Sequence, residues 1–143
     1  MSSVAHATSF SRPAARALIV AQLATIGAFL AVLLLYLGRM VTAGVGPAEM
    51  VTGAYDPKDV VPFGMDGVNP FFWLYAVVAV LYLSGAVLGP LLAIVAVALV
   101  AREREALPRV SRVLLLTGAV GSLVVLAARF TPPLLTMHQW WLD

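Results

Sequence analysis

The side chains able to do chemistry are few and concentrated in one central stretch and at the C-terminus. Met137 and His138 set a thioether beside an imidazole, a pairing that copper accepts, but one of each falls short of a metal site. His6 has no fellow ligand near it in the sequence. Glu49, Asp56, Asp59 and Asp66 offer carboxylates to a cation, yet Asp56-Pro57-Lys58-Asp59 lacks the alternating ligands followed by glycine that a calcium loop needs. Cysteine is absent, which removes thiolate metal sites, iron–sulfur clusters, disulfides and cysteine nucleophiles.

The apolar runs are equally poor in reactive groups. Their polar members are Gln22, Thr25, Tyr82, Ser84, Thr117 and Ser122, with no histidine or methionine to ligate a haem between helices. Proton and ion pathways usually carry Asp, Glu, Lys, Arg or His at membrane depth, and these runs hold none. Neither a nucleophile with a base nor a phosphate-binding glycine motif nor a zinc-protease helix can be assembled. The reading is a chain with no catalytic, cofactor-binding or metal residues.

The elements that would position any site are membrane helices. Of the 143 residues, 62% are hydrophobic and 11% charged, against about a quarter charged in a soluble domain. A net charge of +2, spread over separated arginines, forms no basic stripe for nucleic acid. Ala17 to Leu37 is uncharged and long enough to cross the hydrocarbon core. Phe71 to Ala101 is 31 uncharged residues, about 46 Å of helix, too short for two crossings and therefore one long span with a kink at Pro90. Val113 to Ala128 is shorter, and Arg112 and Arg129 lengthen it if their charged ends reach the two interfaces.

The predicted fold is an all-α membrane protein with three transmembrane helices and an irregular Gly/Pro-rich outer loop. It comprises an N-terminal arm (1–12), a first span (13–37), the outer loop (38–69), a second span with a cytoplasmic extension (70–106), a third span (107–131) and an outer interfacial tail (132–143). Asn69-Pro70 supplies a cap and a first-turn proline, and Pro132-Pro133 ends the preceding helix. The apolar part of the first span is too long for a cleaved signal peptide, so it reads as an uncleaved signal anchor. Arg12, Arg16 and the four arginines of 102–112 outnumber Arg39, Lys58 and Arg129, which places the N-terminus in the cytoplasm and the C-terminus outside. Aromatic residues gather at the predicted outer interface, where Trp73, Trp140 and Trp141 serve as anchors.

Each span also has a closer-packing face. Tyr75, Tyr82 and Gly89 recur at seven-residue steps, with Gly85 making a GxxxG, while Gly118 and Ser122 align on the third helix. These faces either hold the chain's own helices together or contact another subunit. In the loop, four acids against two bases leave a charge of −2. Its apolar pieces around Phe63, beside Asp56, Asp59 and Asp66, suit a partner surface.

The functional expectation is a small, non-catalytic accessory or assembly subunit of a larger membrane complex. It would be multi-pass in a bacterial cytoplasmic membrane, since the bias to Arg over Lys and to Ala, Val and Leu follows GC-rich codons. Its partners would be the lipid bilayer and other integral membrane subunits. The alternative is a homo-oligomeric pore or transporter protomer assembled through the GxxxG face. An enzyme or metal-handling protein using the acidic loop and His138 ranks below both.

Overall fold

The computed structural model describes residues 2–142, with side chains described from Arg12 onward, so the side chain of His6 lies outside the described residues. The elements are α1 (Ser2–Ala43), α2 (Pro47–Met50), a 3-10 turn (Pro57–Val60), α3 (Pro70–Arg102), α4 (Arg109–Arg129) and α5 (Pro132–Leu142), and no strand occurs among the described residues. Three of these helices are long and apolar enough to cross a membrane: Arg12–Ala43 within α1, α3 and α4. The chain is an all-helical membrane protein.

The helix limits follow local chemistry. Helix α1 passes through Gly38 and stops only at Gly44, where the backbone turns left-handed with φ 67°. The Val45 N–H there reaches the Met40 carbonyl and the Gly44 N–H the Val41 carbonyl, a glycine-closed helix end. The loop is accordingly shorter than 38–69. Helix α3 starts where Asn69 Oδ1 accepts the Phe71 N–H at 3.0 Å, with Pro70 in the first helical position, as favoured for an Asn-Pro pair. It remains helical through Pro90, whose ring removes the N–H that the Ala86 carbonyl would otherwise take. The tail expected to lie at the interface forms α5 instead, opened by Pro132 and Pro133.

The chain divides into two compact units. One comprises α1 up to Ile26 and Ser84–Leu126, and its core is aliphatic and small: Ala15, Leu18, Ala93, Ala96, Leu107, Leu115 and Ala119. Without a hydrophobic force between helices in lipid, association depends on close van der Waals approach, which small side chains permit. The other comprises Gly27–Leu83 and the chain from Ala127 onward, and its buried residues include Phe29, Tyr36, Tyr82, Met137, Trp140 and Trp141. In it α2 packs on α5, with Met50 and Met137 buried. In each span a third or fewer of the residues are buried. The exposed remainder is Leu, Val, Ile and Phe, suited to acyl chains.

Candidate functional site

The densest polar and aromatic constellation belongs to the second unit and centres on Tyr82, whose exposure is 0%. Arg129, the last residue of α4, places its guanidinium 4.3 Å from the centroid of the Tyr82 ring and 5.3 Å from that of Phe29. Its Nη2 donates to the Tyr82 carbonyl at 2.6 Å. Arg129 is only 8% exposed, and no carboxylate pairs with it among the described residues. Two ring faces and a carbonyl dipole therefore compensate a buried cation, each desolvated ring contact contributing about 2 kcal/mol.

This corrects the expectation that Arg129 stretches to the interface. Snorkelling wins only when no internal acceptor is in reach. Here α4 ends beside a tyrosine carbonyl and two rings, and the guanidinium turns inward to them.

On the phenol side, Tyr82 Oη lies 3.3 Å from His138 Nδ1, with ring centroids 5.9 Å apart. Which of the two donates depends on the imidazole tautomer. Burial, and then the positive charge of Arg129, push the His138 pKa below its ordinary value and favour the neutral imidazole. Trp141 meets Tyr82 edge-on at 5.7 Å and Tyr75 at 5.0 Å, while Trp140 contacts Tyr36 at 5.4 Å and its indole N–H donates to the Tyr55 carbonyl.

Trp140 and Trp141, expected as interface anchors, are packed within the protein at 0% and 5% exposure. The reason is local. Helix α5 sets Met137, Trp140 and Trp141 on one face at three- and four-residue spacing, and that face meets the rings of Tyr36, Tyr75 and Tyr82. Trp73 differs, being exposed, with its indole N–H held by the Gly67 carbonyl at 2.8 Å.

The seven-residue stripe on α3 divides between the units. Tyr75 and Tyr82 enter the aromatic cluster, whereas Gly85 and Gly89 are buried in the small-residue unit. A methyl group at Gly89 would lie 3.8 Å from Ser122 Cβ, and one at Gly118 would lie 2.8 Å from Gln22 Cδ and 3.3 Å from its Cβ. Gly118 thus exists to admit Gln22. The Gln22 amide is 0% exposed and finds no hydrogen-bond partner, nor does the Ser122 hydroxyl.

The acidic loop spends its carboxylates on its own backbone. Glu49 accepts the Gly46 N–H at 2.8 Å, Asp56 accepts the Lys58 N–H at 2.8 Å and pairs with its ammonium at 3.4 Å, and Asp66 accepts the Val68 N–H at 3.2 Å. Asp59 is exposed in the 3-10 turn. Among the described residues no three His, Asp or Glu side chains gather as a metal site would require. Sequence reasoning missed Asn69 as the organiser of this loop. Its amide nitrogen donates to the Pro62 carbonyl at 2.6 Å and the Gly64 carbonyl at 2.7 Å.

Comparisons with protein families, with curated proteins and with solved structures return no match. Beside the cluster, the same unit contains an apolar cavity of about 460 Å³ bounded by Leu34, Val61, Phe71, Tyr75, Val78 and Trp141. Chemically, the Tyr82–His138 pair can hold or pass one proton and Arg129 fixes a permanent positive charge beside it.

Proposed function

We propose that the chain is a small, non-catalytic accessory subunit that docks through its outer loop onto another integral membrane protein. In this reading it sits in a bacterial cytoplasmic membrane, with Arg12, Arg16 and the arginines of 102–112 on the cytoplasmic side and the loop outside. The observation that carries the reading is a loop that holds Phe63, Met65 and Val68 outward while Val61 is buried. Phe63 is 89% exposed at φ 65° and Val68 is 86% exposed, with Met65 also exposed between them. A left-handed backbone costs a non-glycine residue about 1–2 kcal/mol. Asn69 ties down both sides of that position through the Pro62 and Gly64 carbonyls. The Phe63 ring has one internal ring contact, Phe71 at 6.1 Å between centroids, and is otherwise open to a partner.

The homo-oligomer alternative is weakened because Gly85 and Gly89 of its GxxxG face are buried, Gly89 with Ser122 as an internal neighbour. Since the chain has no cysteine, single thiols introduced at positions 63 and 68, with one at exposed Val77 as a bilayer-level control, report neighbours without background. Cross-linking in native membranes should give a discrete heterologous product from the loop positions only. Phe63→Asp should abolish co-purification of that partner in mild detergent while leaving the helicity unchanged. A chain that remains monomeric in both experiments would sink the reading.

A further inference from the structure

The small-residue unit contains a second cavity, of about 500 Å³, whose lining has two chemistries. Arg104, Arg109 and Arg112 line it together with apolar residues that include Val100, Val113 and Leu116. No acid lines it, although Glu103 and Glu105 belong to the same connection between α3 and α4. Among the described residues none of the three arginines takes part in an ion pair, and Arg112 Nε is buried without a hydrogen-bond partner. Three arginines without an ion pair thus line one cavity, Arg104 just past the end of α3 and Arg109 and Arg112 in the first turn of α4. Like charges repel, and this arrangement gains stability when an anion joins it.

We propose that this cavity binds an anionic phospholipid, with the headgroup phosphate on Arg104, Arg109 and Arg112 and an acyl chain along Val100, Val113 and Leu116. The planar guanidinium matches phosphate oxygens through paired hydrogen bonds, which favours phosphate over a diffuse negative surface. Free phosphate would satisfy the arginines but leave the apolar wall uncovered. At this level of a membrane the available anions carry tails, and an amphipathic lining fits an amphipathic occupant. It shares no residue with the outer loop, so its test is independent of the docking reading.

The test uses the full-length chain, purified and delipidated, titrated by native mass spectrometry with phosphatidylglycerol and with phosphatidylcholine of identical acyl chains. Phosphatidylglycerol should bind at least about tenfold more tightly. At about fivefold per basic residue near a headgroup, R112Q alone should weaken phosphatidylglycerol binding about fivefold, and R104Q/R109Q/R112Q together should bring it down to the level of phosphatidylcholine. Should the triple variant fail to fold, R112Q and the lipid comparison carry the test. Inorganic phosphate, added at the same concentration, should not displace the lipid. Equal affinity for the two lipids, indifference to R112Q and the triple variant, or full displacement by inorganic phosphate would each overturn the proposal.

Discussion

The two units solve the same problem, holding helices together in lipid, with opposite chemistry. In the first, backbones approach over Ala, Gly and Ser, and the Gln22 side chain fits against Gly118 because that residue has no Cβ. In the second, large rings do the work: Tyr36, Tyr82, Trp140 and Trp141 fill the interior and Arg129 is held by two of the rings and a carbonyl. Each unit also leaves a polar group unsatisfied, the Gln22 amide in one, and the Tyr36 hydroxyl and Arg129 Nε in the other. The small-residue unit depends on absence of volume at Gly118, where an added Cβ meets Gln22. The aromatic unit depends on volume and tolerates no deletions.

The contrast is most directly broken by swapping the type of insult. Trp140→Ala deletes the largest fully buried side chain and should cost about 3–5 kcal/mol in denaturant unfolding from micelles. A loss under about 1 kcal/mol would mean that α5 is a peripheral appendage rather than part of the core. In the other unit the damaging change is an enlargement. Gly118→Leu must displace Gln22 and should cost about 1–3 kcal/mol. Adding Gln22→Ala should recover part of that loss, whereas strict additivity would show that the two residues do not share the contact.

The smallest effect sharpens the aromatic side. Because the His138 pKa is lowered in the folded chain, by burial first and Arg129 second, the unfolded state binds the proton more readily. Stability is then full above the ordinary imidazole pKa, falls as pH drops below it, and levels off beneath the folded value. His138→Gln should flatten this slope in unfolding measured between pH 7.5 and 5, while a slope that persists unchanged would assign it to another group.

Legibility in the sequence tracked the range of the interaction. Uncharged run lengths located the three spans, and Asn69-Pro70 located the start of α3, since both depend on hydropathy or on neighbours within one turn. Helix α1 overran its expected end because Gly38 keeps a helical backbone and only Gly44 takes the positive φ. Residue type does not distinguish those two glycines. The loop acids resembled ligands in composition, yet Glu49, Asp56 and Asp66 are hydrogen-bonded to backbone within three residues of themselves.

By itself, then, the sequence determined a membrane solvent, three apolar helices and a chain with little reactive chemistry, because the cost of leaving polar groups in hydrocarbon is written residue by residue. Only the tertiary structure decided where Arg129, Trp140 and Trp141 reside. An arginine or a tryptophan at the end of an apolar run is stable either at an interface or inside a cluster. The choice rests on partners such as Tyr82, 47 positions from Arg129, and Tyr55, 85 positions from Trp140. No local pattern encodes those distances, and the packing of the end of α4 and of α5 supplies them.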